Sequence, residues 1–487
     1  MQIAFLITAH MPYLRRAGPS PAGEEHLHAL IAQSLMPLIT SLSDMRVAGL
    51  QPRVSLALAP LLLEQIADPV VQKHFLIWLA EQQASFSAAA AQHGADDENH
   101  TAYLARFYHE WANQVQHSFE GRYKRNLNLT LRDLMQAGIV EHIAAPATMA
   151  CLPLLSSNAS ARVQIEQGIM ATMRHLGRPQ GIWLGGCGWR AGLEPMLDAG
   201  ALRYAIVDPG LLSESDHPNL AWINSGTRDT RGRRIVALAA DIKLKQHLAR
   251  DLGYPGDPLY RAEATVGASA ANGMGTPQPY DPYHAFRRAH EHAAHFVDLL
   301  VAEAELCAPD ELMIIALDTS LIGASWFEGP TWLQAVLTNC ATHASLSLTT
   351  PSEYLRRHRP QASVAIRPRL DVWPIARDYW VALHAAENEL CALARQFSEP
   401  SDDQERVLNQ AARELLLAQT GDWSAMLDQP SQRDANEARW YAYLDRCHEL
   451  CAMARKPSLN SSDLYTLGQL EEYDGPFPTL NYRVFGT

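Results

Sequence analysis

Apolar residues fall along this chain in two rhythms. Short continuous runs occur at Ile3–Ile7, Val54–Leu58, Ile182–Leu184, Tyr204–Val207, Ile235–Ala239, Leu312–Leu317 and Leu346–Leu348. A strand with one wet face alternates, whereas a run that is apolar at nearly every position suits a strand covered on both faces. Between these runs lie patterns of helical length at Glu24–Leu42, Ala161–Leu176, Pro282–Cys307 and Pro330–Cys340. Pro37 removes a backbone donor from the first of these and predicts an early end or a kink. Strands and helices alternating over the first ~350 residues predict a parallel α/β fold, either a barrel or an open sheet.

Two regions leave that rhythm. Residues 61–137 are helical in pattern and carry Phe75, Trp78, Tyr103, Phe107, Tyr108 and Trp111, so they read as a helical insertion between two strands. After Arg377 the strand signals stop, and Tyr379–Phe397, Asp402–Gln419 and Arg433–Ala454 read as helices. The expected division is 1–376 for the α/β unit and 377–487 for a C-terminal helical domain. Gly267–Asp281, rich in small residues, Gly and Pro, reads as a loop.

Composition narrows the function classes. A length of 487 residues with 47% apolar content allows a large core and excludes wholesale disorder. The net charge of −13 argues against wrapping nucleic acid or docking on an anionic membrane, since both need a surplus of Lys and Arg. No apolar run approaches the ~20 residues that span a bilayer. The start, Met1–Ile7, is too short for a signal h-region and lacks a basic flank. The seven cysteines are scattered and form no CxxC pair, which points to the cytoplasm and away from a disulfide framework or zinc ribbon.

In a parallel barrel the chemistry sits just past the strands' C-terminal ends. Those positions hold His10, Gly185-Gly186-Cys187-Gly188, Asp208, Asp241 and Asp318. Each Asp could equally be a turn former or helix cap, and His10 a packed loop histidine. His290-Glu291-His292-Ala293-Ala294-His295 approximates a zinc-protease HExxH, but Ala294 stands where the second His is required. Cys447 and Cys451, one helical turn apart, lack further ligands, so neither a metal nor a cofactor is expected. Cys187 between glycines suggests a nucleophile, although Trp189 breaks the elbow pattern. Trp183, Trp189, Trp326, Phe327 and Trp332 flank these loops, and aromatic faces near carboxylates suit a sugar. The competing reading of these rings is core packing.

With these residues in view, the chain resembles glycoside hydrolase family 57, in particular its α-1,4-glucan branching enzymes, nearly end to end. His10-Met11-Pro12-Tyr13 is similar to the end of the family's opening H-x-H-x-P-Y segment, and Gly181-Ile182-Trp183-Leu184 to the lead into W-L-P-E-C. Gly253–Pro258 is similar to a G-Y-P-G-D-P loop, and Asp318 with Trp326–Pro330 to the motif bearing the acid/base. Thr350–Tyr354, Asp422-Trp423 and Phe477–Arg483 follow in family order. The resemblance implies an incomplete seven-stranded (β/α) barrel with a helical insertion and an all-helical C-terminal domain. It also implies an α-glucan or maltooligosaccharide ligand, with Asp318 as acid/base and His10, Trp183, Asp208, Trp326, Asp422 and Trp423 around the substrate.

The departures bear directly on mechanism. The family's nucleophilic Glu corresponds to Gly186, and family histidines correspond to Thr8, Met149 and Ala324. A retaining glycosidase needs two carboxyl groups ~5–5.5 Å apart, one of which attacks the anomeric carbon. Gly186 has no side chain, so it can neither attack nor stabilise an oxocarbenium ion. Three readings follow. One is a catalytically inactive branching-enzyme homologue that retains glucan binding or partners an active enzyme. The second is a working enzyme using Asp318 with Asp208, an inverting pair if the separation is ~6.5–9.5 Å. The third is an interaction protein with no sugar affinity.

Overall fold

The computed structural model describes residues 1–15, 23–92, 100–190, 192–212, 220–223, 235–241, 243–250, 252–261, 279–308, 310–360, 363–364, 366, 377–428, 430 and 432–486. Most of the loop expected at Gly267–Asp281 and the stretch before the domain junction expected after residue 376 lie outside them.

Ten strands are described: β1 (Gln2–Ala9), β2 (Val54–Leu58), β3 (Val140–His142), β4 (Gly181–Trp183), β5 (Tyr204–Val207), β6 (Leu220–Ile223), β7 (Val236–Ala239), β8 (Leu312–Asp318), β9 (Ser347–Leu348) and β10 (Ser363–Val364). One sheet runs β3-β2-β1-β8, all parallel, with β9 also on β1. The other runs β10-β6-β7-β5-β4, in which β4, β5 and β7 are parallel. A parallel bridge between Ala144 and Ile182 joins the sheets on one side. On the other side the Asp241 N–H donates to the Ile314 carbonyl at 2.7 Å, with no ladder there among the described residues. The result is an incomplete barrel of seven parallel strands, β1, β2, β3, β4, β5, β7 and β8. Strand β6 extends β7 antiparallel, outside that circuit.

The continuous apolar runs now have a cause. Alternate residues Ala4, Leu6, Ala57, Ile143, Tyr204, Ile206, Val236, Leu238, Leu312 and Ile314 fill the barrel interior. Their neighbours Ile3, Phe5 and Ile7 pack outward with the helices, as do Ile182, Leu184, Ala205 and Val207. Both faces of β2, β5 and β7, and nearly all of β1, are therefore dry.

The insertion consists of helices at Pro60–Ala67, Pro69–Gln92, His100–His117 and Leu127–Gln136. Phe75 packs edge-on against Phe119 with centroids 4.8 Å apart and stacks with Trp78 at 6.1 Å. The first helix does not end at Pro37. A π-turn at Ile31–Leu35 separates Glu25–Leu30 from Met36–Val47, and the Met36 N–H reaches back to the Ile31 carbonyl. The wider turn carries the helix past the proline's missing donor without a break. After residue 376 come helices at Arg377–Gln396, Asp402–Ala418, Arg433–Ala454 and Ser461–Tyr473, around a core that includes Leu415, Trp440, Tyr443 and Cys447. Tyr13, Leu61 and Val163 from the barrel side share that core, so the two parts are packed together.

Candidate active site

Asp318 is the last residue of β8 and pairs in register with Thr8 of β1. The Thr8 hydroxyl donates to Asp318 Oδ2 at 3.2 Å, and the Ser320 N–H donates to Oδ1 at 2.7 Å. Both bonds orient a carboxylate whose residue is exposed to solvent. His10, just past β1, pairs through Nε2 with the Asp422 carboxylate, which arrives from the C-terminal helices. Burial by itself lowers the His10 pKa, but the neighbouring Asp422 and Asp318 carboxylates outweigh it, so the net displacement is upward. His10 Nδ1 is buried and has no hydrogen-bond partner among the described residues.

The third side of the site is the turn after β4. Gly185 lies directly under the Trp183 indole: a Cβ there would meet Cζ2 at 1.9 Å. Gly186 differs in every respect. Its φ is +74°, it is exposed, and a Cβ built on it finds no heavy atom of the described residues within 4 Å. Its N–H donates to Asp208 Oδ2 at 3.3 Å, which draws the carboxylate beyond β5 alongside the side-chain-free position. The next residue, Cys187, is fully buried. Burial pushes its thiol pKa up, and Asp208 and then Asp422 push it further, the reverse of what activates a cysteine nucleophile. His10, Gly186, Asp208, Asp318 and Asp422 therefore lie near one another past the C-terminal ends of the strands.

The Asp422 loop is held by tight backbone approach. A Cβ on Gly421 would lie 2.1 Å from the Met149 carbonyl oxygen, and the Gly421 N–H donates to the Thr148 carbonyl at 3.1 Å. Met149 itself has φ +53°. Behind it a buried amide chain links the two parts. Gln164 accepts the Thr148 N–H at 3.0 Å and donates to Gln419 at 2.9 Å, and Gln419 donates to Glu387 at 2.6 Å. Burial raises the Glu387 carboxyl pKa. Gln164, Gln419 and Glu387 carried no motif signal, because buried amide networks leave no periodic trace.

The structure separates the expected aromatic residues. The Trp183 residue is partly buried and borders the barrel interior. Trp326 is 1% exposed and packs against Tyr260 and Trp332, with centroids 5.3 and 5.5 Å away. Trp423 is 3% exposed and its indole N–H donates to the Leu417 carbonyl at 2.9 Å. Neither of these two rings offers a face to a sugar in this arrangement. Asp241 closes the β7–β8 contact, and its carboxylate accepts the Lys243 N–H at 2.7 Å. His292 and His295 pair with the hydroxyls of Tyr260 and Tyr254 at 2.8 and 2.7 Å, which accounts for them as packing residues. Among the described residues no His, Cys, Asp and Glu group is arranged to hold a metal, and no helix is long and apolar enough to cross a membrane.

Comparison with known proteins agrees with this architecture. The profile of glycosyl hydrolase family 57 matches residues 4–367, and that of the 1,4-alpha-glucan branching enzyme C-terminal domain matches 382–485. A 1,4-alpha-glucan branching enzyme of Thermococcus kodakarensis is 27% identical over 98% of this chain and 77% of its own length. The crystal structure of a family-57 branching enzyme from that organism, in complex with glucose, superposes with a TM-score of 0.89 at 24% identity, covering 100% of this chain and 96% of the other. An α-amylase from Thermotoga maritima superposes with a TM-score of 0.87 at 22% identity, covering 100% and 99%. With the family profile spanning most of the chain and the barrel, insertion and helical C-terminal part all in place, the protein belongs to glycosyl hydrolase family 57.

Proposed function

We propose that this branching-enzyme homologue holds an α-glucan in its cleft without performing the family's double displacement. Gly186 carries the reading: the position corresponding to the family nucleophile has no side chain, and among the described residues no neighbouring side chain occupies the space a Cβ would enter. A covalent glycosyl intermediate needs an attacking carboxylate at that point. Asp318, His10, Asp208 and Asp422 still surround the cleft and supply acceptors for sugar hydroxyls, with Trp183 beside them. In this reading the protein either binds maltooligosaccharide itself or acts as the partner of an active glucan enzyme. Its seven free cysteines fit the reducing cytoplasm.

Purified protein incubated with amylose is expected to create no new α-1,6 linkages. Calorimetry with maltoheptaose is expected to show weak saturable binding. Robust branching abolished by Asp318→Asn would overturn the inactive reading. Absence of heat at about 10 mM ligand would remove the binding half of the proposal.

One observation favours a second reading. The Asp208 carboxylate accepts the Gly186 N–H at 3.3 Å, so a carboxylate already stands beside the vacated position. If Asp208 serves as a base opposite Asp318, hydrolysis of amylose would be measurable. It would be lost in both Asp208→Asn and Asp318→Asn, and the product would have inverted anomeric configuration.

A further inference from the structure

A large cavity lies at the opposite end of the barrel from the candidate active site. It has a volume of about 800 Å³ and opens where the strands begin. Gln180 precedes β4, Arg203 precedes β5, and Val236 opens β7. The helix Pro351–Arg357 and the turn after it cover the other side. The seven residues of β8 put the two barrel ends about 20 Å apart at ~3.3 Å per residue. A molecule seated here would not touch Asp318 or Gly186.

The lining is of two kinds. Leu202, Val236 and Leu355 give an apolar floor, while Arg203 and Arg356 bring positive charge and His358 adds a ring nitrogen. This concentration of cations stands out in a chain of net charge −13. The plain explanation for Arg356 is that a basic residue in a helix's last turn offsets the helix dipole. That explanation does not extend to Arg203, which reaches the same cavity from the sheet side. Among the described residues neither Arg203 nor Arg356 has a carboxylate partner, whereas Arg357, on the same helix, faces Glu353 at 3.7 Å. Asp198, the one carboxylate in the described lining, is already engaged. Arg203 and Arg356 are both exposed to solvent and, among the described residues, free of counter-ions, and the cavity they line is far larger than an inorganic ion, which suits an anion with an organic body.

We propose that this cavity binds a phosphorylated small molecule, of sugar-phosphate to nucleotide size. Arg203 and Arg356 hold its phosphate, and its body lies against Leu202, Val236 and Leu355. Arginine forks match phosphate oxygens, and the apolar floor rewards a ligand that brings carbon as well as charge. Strands β4 and β5 each run from this cavity to the cleft, β4 from Gln180 towards Gly186 and β5 from Arg203 to Asp208. The site is independent of whether the cleft is catalytically active.

The test is titration calorimetry of the full chain with glucose 1-phosphate, with adenosine monophosphate and with inorganic phosphate, each at low and high salt. At least one organic phosphate is expected to bind saturably, more tightly than inorganic phosphate, and to weaken as salt rises. The Arg203→Gln/Arg356→Gln double variant is expected to lose about tenfold or more in affinity, as removal of two charge-assisted contacts requires. Arg357→Gln, which changes a neighbouring arginine outside the cavity, and Asp318→Asn, which changes the cleft, are expected to leave affinity within about twofold. Three results would each overturn the proposal. They are no saturable binding of any probe up to about 10 mM, equal affinity for inorganic and organic phosphate, or unchanged affinity in a folded double variant. A melting curve of each variant establishes that it is folded.

Discussion

Putting a side chain on Gly186 tests whether the vacated position is open or has been refilled. Two terms set the cost of Gly186→Ala. The φ of +74° places an L-residue in the left-handed region, which costs about 1–2 kcal/mol. Replacing glycine also restricts the unfolded chain, which returns about 0.4–1 kcal/mol. No steric term is added, because a Cβ there meets no heavy atom of the described residues within 4 Å. The net loss is therefore about 1 kcal/mol, near the average for a point substitution. Gly421→Ala is the contrasting case. Its Cβ would sit 2.1 Å from the Met149 carbonyl oxygen, and a backbone atom cannot swing aside like a side chain, so about 3 kcal/mol or more is expected. Denaturant melts of the two variants beside the parent make the comparison. Gly186→Glu, assayed at the same time, should be as well folded as Gly186→Ala. Intact-mass measurement after incubation with an activated glucosyl fluoride should detect a glycosyl adduct on Gly186→Glu and none on the parent. Branching turnover should stay low, because Thr8 and Met149 stand where the family has histidines. A loss above about 3 kcal/mol in Gly186→Ala would show that the space is not free, and the reasoning from the open position would fail.

Other outcomes follow from the same geometry. The His10 pKa is raised in the folded protein, so the His10–Asp422 pair contributes fully below the unfolded value of 6.5 and loses that contribution as pH rises through the folded value. Melting temperature should therefore fall on the alkaline side of 6.5, and Asp422→Asn should flatten that part of the profile. Trp326→Ala should cost about 3–5 kcal/mol of stability, as loss of a buried indole does, with no selective loss of glucan affinity in the folded fraction. Cys187 should resist alkylation by iodoacetamide at mildly alkaline pH until the protein unfolds, since burial and two nearby carboxylates disfavour its thiolate. Modification at the rate of a free thiol in the native state would contradict the buried placement.

Most barrel strands are legible because they are covered on both faces, which leaves an unbroken apolar run in the sequence. Strand β3 left no such run: Val140–His142 is three residues long and two of them are polar. Strand β6 alternates buried and half-buried positions beside β7 and resembles the start of a loop. The helix Ser461–Tyr473 buries only Asp463 and Leu467, too few positions to show a period. Pro37 was read correctly as a disturbance, but the outcome depended on a π-turn that no local propensity announces. At the site, His10, Asp208 and Asp318 follow from their positions just past strands. Asp422 does not: it lies 412 residues from its partner His10. Only the family resemblance brought it into view, and the buried link through Gln164, Gln419 and Glu387 that steadies its loop escaped both routes.

On the proposed reading, a site that lacks the family nucleophile at Gly186 keeps its other groups in place, and energetics explain why. A catalytic carboxylate acts on charge that develops in the transition state and adds little to holding the ground-state sugar. Removing it takes away turnover first. The groups proposed to meet ground-state hydroxyls are different ones: Asp318 held by Thr8 and Ser320, His10 held by Asp422, and Asp208 at the Gly186 N–H. Their fixation does not pass through the missing side chain. It passes through the β1–β8 register and through the close approach of Gly421 to Met149. On the proposed reading, Gly421→Ala should accordingly weaken maltooligosaccharide binding more than Gly186→Ala does. Equal effects of the two substitutions on affinity would mean that the Asp422 loop plays no part in holding the ligand.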